Sequence, residues 1–377
     1  MRKLGLLCTA ASLAAASWMA GATLPEEPLG QEKLSEPDPH RSYIVDMEFD
    51  SLVVGRVTVV DPDKMQYLGM VTVGLGAPAT LSKDRKILYT ADTFYSRGAR
   101  GQRTDVLTAH DTTTLAPLWE VEIPPKRASN IAERYQLTLI DDDRLALIYN
   151  FTPATSVTVV DTQKKAVVGE IDIPGCALNY PAGQRRFASI CGDGNLLLVS
   201  LDENGKESGR QRLPFFDPNK ELLLERAAFK DGVYYFVSYL GRVHAVDLFA
   251  EQPKVLEPWS LVSETEAKKN WRPGGWEMLA ISPAADRLYA LMHADGYQGS
   301  HKDPSTNVWV FDLKSHKKVA TIESPKPLWS LRATQDEQPL LLGLDIEGGL
   351  NVFDARSGQH KGTMEGIAKT APYLLTH

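Results

Sequence analysis

The chain has 377 residues, 43% of them hydrophobic and 24% charged, with 48 acidic against 41 basic side chains and a formal net charge of −7. That acidic balance, with no basic stripe carrying interleaved aromatics, argues against non-specific nucleic-acid binding, which depends on Lys and Arg neutralising phosphates. Length alone suggests two domains, but some all-β folds run this long as single units.

The first residues are Met1-Arg2-Lys3, an apolar run to about Met19, then Ala20-Gly21-Ala22. A positive start, a short apolar core and a small-residue cleavage site predict a secretory signal over residues 1–22. The apolar run is too short and wrongly flanked for a membrane span. Cys8 falls too early in it for a lipoprotein. Loss of Arg2 and Lys3 with the signal takes the charge to −9. Residues 23–40 hold four prolines and six charged side chains with little apolar content. They read as an extended N-terminal arm, either a leftover linker or a reach toward a partner subunit.

From residue 41 onward a repeat dominates. Seven apolar runs end on an aspartate and a turn, at Asp61, Asp111, Asp161, Asp202, Asp247, Asp312 and Asp354. The spacings are 50, 50, 41, 45, 65 and 42 residues, the period of a propeller rather than of a β-helix or leucine-rich repeat. Upstream of each aspartate lies another β-rich run behind a polar turn, as in Asp84-Arg85-Lys86 before Ile87-Leu88-Tyr89. Downstream comes a hairpin tip and a further strand, as in Ala166-Val167-Val168-Gly169. Three clear strands and a weaker inner one predict four-stranded antiparallel blades. The fold expected over 41–377 is an all-β, seven-bladed propeller, which leaves only short protected edges. Ser42-Tyr43-Ile44-Val45 starts mid-blade and Tyr373-Leu374-Leu375 has no blade of its own. The N- and C-terminal strands are therefore expected to share the first blade. The aspartates read as turn formers that accept backbone N–H groups two residues on.

Cys176 and Cys191 remain after signal removal. An even pair in an exported chain predicts a disulfide, which would clip one blade and contribute about 3 kcal/mol in the chain-entropy model. The long gap before Asp312 holds two features. Ser263 and Glu266 have capping-box spacing and predict a short helix. Trp259 and Asn270-Trp271-Arg272-Pro273-Gly274-Gly275-Trp276-Glu277 place three of seven tryptophans within eighteen residues. These rings read either as packing between blades or as a recognition surface, with Trp271, Arg272 and Trp276 as interface candidates. His293 and His301 share a polar loop with Asp295 and Asp303. That loop is a surface loop or, less simply, a metal site. No P-loop, dinucleotide fingerprint, zinc motif or EF-hand occurs, and no catalytic residue or metal ligand is assigned.

Several segments together resemble the heavy subunit of amine dehydrogenases that depend on tryptophan tryptophylquinone, over nearly the whole mature chain. They are Phe94-Tyr95-Ser96-Arg97-Gly98-Ala99-Arg100-Gly101-Gln102-Arg103-Thr104-Asp105, Ser156 behind Thr152-Pro153-Ala154-Thr155, Cys191-Gly192-Asp193-Gly194, and Asn270 to Trp276. The resemblance implies a periplasmic heavy subunit paired with a small disulfide-rich light subunit, two of each. The quinone would belong to the light subunit, leaving this chain with no cofactor. The assembly would oxidise primary amines to aldehyde and ammonia and pass electrons to a blue copper protein or cytochrome. It also implies that Phe49 borders the substrate channel; its other reading is ordinary core. Ile123-Pro124-Pro125-Lys126-Arg127, Ile190-Cys191-Gly192-Asp193-Gly194 and the loop from Met292 to Lys302 resemble the aralkylamine branch, whereas Trp271-Arg272-Pro273-Gly274-Gly275-Trp276 resembles the methylamine branch at least as much; the balance favours aralkylamines. The alternatives are a stand-alone lactonase-like propeller hydrolase and a binding propeller.

Overall fold

Short β-branched and aromatic runs between Asp and Gly turns become antiparallel strands throughout, with one α-helix, Glu264–Lys268, among the described residues. The computed structural model describes residues 33–51, 53–127 and 131–376. The predicted signal over 1–22 and residues 23–32 of the predicted arm lie outside them. Residues 33–40 run along the chain's own sheets: the Leu34 N–H donates to Thr113 O at 2.8 Å, and Arg41 Nη2 donates to Ser35 O at 2.8 Å.

The strands build an all-β propeller of four-stranded antiparallel blades. The first sheet runs from the inner strand Tyr373–Leu375 through Ser42–Asp46 and Val54–Asp61 to Gln66–Gly74. The C-terminal strand thus pairs with the first, with Tyr43 opposite Leu375 and Val45 opposite Tyr373. The second sheet begins at Ala79–Leu81, the third at Leu137–Ile140 and the fourth at Cys176–Pro181; each continues outward in chain order. The fifth begins at Leu223–Lys230, and its outer edge is split into Lys254–Val255 and Trp259–Ser260.

The expectation of seven separate blades needs correction at the last two repeats. Five sheets are single blades, whereas the described residues from 272 to 364 form one eight-stranded sheet. Its join is the sixteen-residue strand Lys318–Ala333, which pairs with Ser305–Asp312 through its first half and with Leu340–Asp345 through its second. The chain stays extended there because Ser324-Pro325-Lys326-Pro327 carries two prolines. Each fixes its own φ and biases the preceding residue to β geometry. One strand therefore closes one repeat and opens the next.

The core lies between adjacent sheets. Leu224, Val243, Leu279, Leu288, Val308 and Leu341, from the fifth and sixth sheets, belong to one buried cluster. Each fully buried Val or Leu contributes roughly 1.5–3 kcal/mol. The predicted capping box is present: Ser263 Oγ accepts the Glu266 N–H, and the Glu266 carboxylate accepts the Ser263 N–H at 2.8 Å. The disulfide joins Cys176 and Cys191, which face each other across the first two strands of the fourth sheet.

The repeat aspartates form the turns expected of them. Asp111 Oδ1 accepts the N–H groups of Thr113 and Thr114 at 2.9 and 2.7 Å, and Asp354 Oδ1 accepts those of Arg356 and Ser357 at 3.1 and 2.7 Å. These contacts hold the Asp111 carboxyl down at about 2, with the Thr113 hydroxyl the largest cause. Strand polarity puts all seven of these turns at one end of the propeller. Loops joining second to third strands, and connections between sheets, emerge at the other end.

Candidate functional site

The loop end is where the sequence departs from its own repeat. Residues 47–51 leave the strand Ser42–Asp46, and buried Asp46 fastens them to the last connection of the chain. Its carboxylate accepts the N–H groups of Lys369 and Thr370 at 2.8 and 2.9 Å and of Glu48 at 3.1 Å, while Arg56 binds it at 3.1 Å. A second Arg56 nitrogen reaches Glu48 at 2.9 Å. Phe49 sits on this braced loop, half exposed at 49%, so it is not core.

Behind Phe49 lies a cavity of about 250 Å³ lined by Met47, Phe49, Ile131, Trp276, Trp329, Thr370 and Pro372. Its wall is almost wholly hydrocarbon and aromatic. Trp276 and Trp329 meet edge to face at 6.1 Å, and the Trp276 N–H donates to Trp329 O at 2.6 Å. The Pro-Gly-Gly turn allows this approach. Gly275 has φ +106°, and a Cβ there would lie 2.4 Å from Trp329 O, so glycine is required.

The three interface candidates separate in space. Trp276 is 8% exposed and belongs to the cavity wall, so packing describes it rather than an open recognition surface. Trp271 is half-buried against Trp309 at 4.7 Å, and Arg272 lies over the Tyr239 ring at 5.9 Å. Phe49, which sequence reasoning had no spacing to connect with the tryptophans, joins Trp276 in one wall.

Beneath the tryptophans is a buried charged layer. Arg226 stacks over Trp276 at 3.8 Å and binds Glu133 at 2.8 Å. Arg134 binds Glu277, the residue after Trp276, at 2.9 Å and donates to Ala227 O at 2.7 Å. Burial pushes the Glu133 carboxyl up to about 7, against the pull of Arg226. The Glu277 carboxyl is raised for the same reason, against the pull of Arg134. Pairing makes a buried guanidinium tolerable, whereas breaking one pair leaves an uncompensated charge. Glu133, Arg134, Arg226 and Trp329 carry no motif, and only three-dimensional proximity reveals them.

A second hollow of about 510 Å³ continues from Ile131 past Phe151 and the disulfide to Leu222 and Glu225. Phe49, Phe94, Phe151, Leu222, Leu240 and Tyr297 are all exposed, and all lie in loops or hairpins of this end. Phe94 is carried outward by the long hairpin of Ile87–Arg97 and Arg100–Asp111. Among the described residues, His293 and His301 included, no group of three or more His, Cys, Asp or Glu is placed to hold an ion.

A profile of the methylamine dehydrogenase heavy-chain family matches residues 38–377. The chain belongs to that family. It is 30% identical over 342 residues to the methylamine dehydrogenase heavy chain of Methylophilus methylotrophus, covering 90% of this chain and 83% of that one. It is 29% identical over 345 residues to the heavy chain of Paracoccus versutus, covering 90% and 80%. Among solved structures, a putative 6-phosphogluconolactonase from Bacteroides fragilis superimposes with a TM-score of 0.61 at 13% identity, covering 91% of this chain and 99% of that one. A dihydro-haem d1 dehydrogenase gives 0.56 at 17% identity, covering 94% and 78%. These two likenesses show the fold alone. In this heavy-chain family member, the hairpin around Phe94 and the turn from Asn270 to Trp276 both stand at the loop end of the propeller.

Proposed function

We propose that this chain is the heavy subunit of an amine dehydrogenase, a structural partner that completes a substrate passage. Family membership supports the reading, and the apolar cavity behind Phe49 is the observation that carries it. The small light subunit would dock on the loop end, covering Phe49, Phe151 and Leu222. Tryptophan tryptophylquinone on that subunit would accept the two electrons released as an amine and water become aldehyde and ammonia. The electrons would then leave to a blue copper protein or cytochrome. This chain's residues bind and exclude water: Met47, Ile131, Trp276 and Trp329 offer apolar contact, and Phe49 narrows the entrance. A cavity of about 250 Å³ walled by aromatic rings suits the hydrocarbon part of an aralkylamine better than a lone methyl group, because burial energy scales with the apolar area removed from water.

We read the ring as seven blades by dividing the eight-stranded sheet at Pro325 and Pro327, with the pairing of Tyr373–Leu375 to Ser42–Asp46 closing it. The signal over 1–22 supports export to the periplasm.

Co-expression of the tagged heavy chain with its small partner tests the assignment. The expected result is co-purification of a small quinone-bearing subunit and dye-linked oxidation of phenethylamine ahead of methylamine. Amine oxidation by the heavy chain alone would overturn it, and methylamine far ahead would reverse the substrate preference.

A further inference from the structure

The inner strands enclose another cavity, of about 380 Å³, on the axis at the tight-turn end. Every sheet contributes to its wall, and three arginines line it: Arg85 from the first turn of the second sheet, Arg134 from the turn before the third, and Arg332 from the sixth. Arg85 Nε and Nη1, Arg134 Nε, Arg332 Nε and the Thr138 hydroxyl are buried and have no hydrogen-bond partner among the described residues. The Arg134 Nη2 is occupied by Glu277 and Ala227 O, so its Nε remains for the cavity.

Counter-charge in the wall is sparse. Lys83 also lines it but is paired with Asp142 at 3.0 Å. Asp143 is the acidic residue lining it; its carboxylate accepts the Lys83 N–H at 2.6 Å, and burial raises its pKa. Arg85 and Arg332, which form no ion pair among the described residues, thus share one space with Arg134, whose charge Glu277 already balances, in a chain whose net charge is −7. Each buried donor left unpaired costs about 1–3 kcal/mol, and the like charges repel. A small oxyanion relieves both costs at once. Guanidinium forks match the oxygens of phosphate and carboxylate groups, and the volume admits a small metabolite.

We propose that Arg85, Arg134, Arg332 and Thr138 form an axial site for a small oxyanion, a phosphate or a dicarboxylate, separate from the apolar cavity behind Phe49. The bound anion joins the second, third and sixth sheets across the axis and acts as a structural ligand.

Calorimetric titration of the full mature chain with inorganic phosphate, with succinate and with chloride at matched ionic strength tests the site. Saturable binding of phosphate or succinate, but not chloride, is expected, and the tighter of the two names the ligand class. R85Q and R332Q should each weaken it roughly tenfold or more, as loss of a charge-assisted contact does. Within this chain Arg85 is held by its backbone: its N–H donates to Ser82 O and its carbonyl accepts the Thr112 hydroxyl, both at 2.8 Å. R85Q should therefore fold. In anion-free buffer its melting temperature should equal or exceed that of the parent, and phosphate or succinate should no longer raise it. If neither anion binds saturably, the cavity holds only water and the proposal fails. It fails equally if R85Q binds as tightly as the parent, or if R85Q melts lower by the same margin with and without anion, which is the mark of a merely structural residue.

Discussion

The end of the propeller that carries the aspartate turns and the end that carries Phe49 are made by the same strands, yet they obey different constraints. At the turn end each third strand stops on an aspartate whose carboxylate organises the next few residues, as at Asp61, Asp161 and Asp247. Such turns are short, polar and interchangeable. At the loop end the connections differ in length and content: a braced loop at Glu48–Ser51, a projecting hairpin at Phe94, and a turn at Gly274-Gly275 that fits only against Trp329. Periodicity is confined to the end where every blade needs the same thing. Individuality collects at the other end, where the connections differ from blade to blade. The two cavities follow the same division, with aromatic walls behind Phe49 and arginine side chains in the wall beside Arg85.

Truncating Trp276 should break the loop end most severely. Trp276→Ala empties a buried aromatic site and removes the ring under Arg226, so a loss of about 3–5 kcal/mol in urea denaturation is expected. A loss below about 1 kcal/mol would instead place Trp276 among surface contacts. Replacing both Cys176 and Cys191 with serine should cost about 3 kcal/mol, given a loop of this length. Thermal melting of the oxidised parent and the double variant measures it. Phe49→Ala acts differently from both. Stability should change by less than about 0.5 kcal/mol because the ring is half exposed. The assembled enzyme's KM for phenethylamine should rise roughly tenfold, the size of a lost aromatic contact, with methylamine affected less. An equal change for both amines would remove Phe49 from the substrate passage.

Blade strands and aspartate turns were legible in the sequence because each is local: a period-two run, then a carboxylate within reach of its own backbone. The helix cap at Ser263 and the disulfide were legible for the same reason, one from spacing and the other from an even cysteine pair. The shared strand Lys318–Ala333 was not, although Pro325 and Pro327 are visible in it. Proline usually punctuates a strand, and here two of them keep a strand extended through a join. The site was only half legible. Trp276 stood out by its neighbours and Phe49 by resemblance. Their meeting depends on residues about 230 positions apart in sequence, which no local rule connects. The Arg226–Glu133 and Arg134–Glu277 pairs are likewise products of the ring, since each spans different sheets.

The smallest effect expected belongs to the turn end, and its sign separates turn chemistry from generic charge. The Asp111 carboxyl is held at about 2, below its ordinary 3.8. Asp61, Asp161 and Asp354 are shifted the same way. A carboxylate whose folded pKa is depressed stabilises the fold above its unfolded pKa, and that stability is lost as pH falls through the folded value. The window for Asp111 therefore runs from about pH 4 down to about 2. Asp111→Asn retains a side-chain acceptor for Thr113 and Thr114 but cannot titrate. It should cost roughly 1 kcal/mol or less at neutral pH. Below about pH 4 its deficit relative to the parent should shrink, because the parent loses the charged contact that the variant never had. Urea denaturation at stepped pH reads this directly. A deficit that stays constant from neutral pH to acid would mean that the turn is held by geometry alone, without the charge.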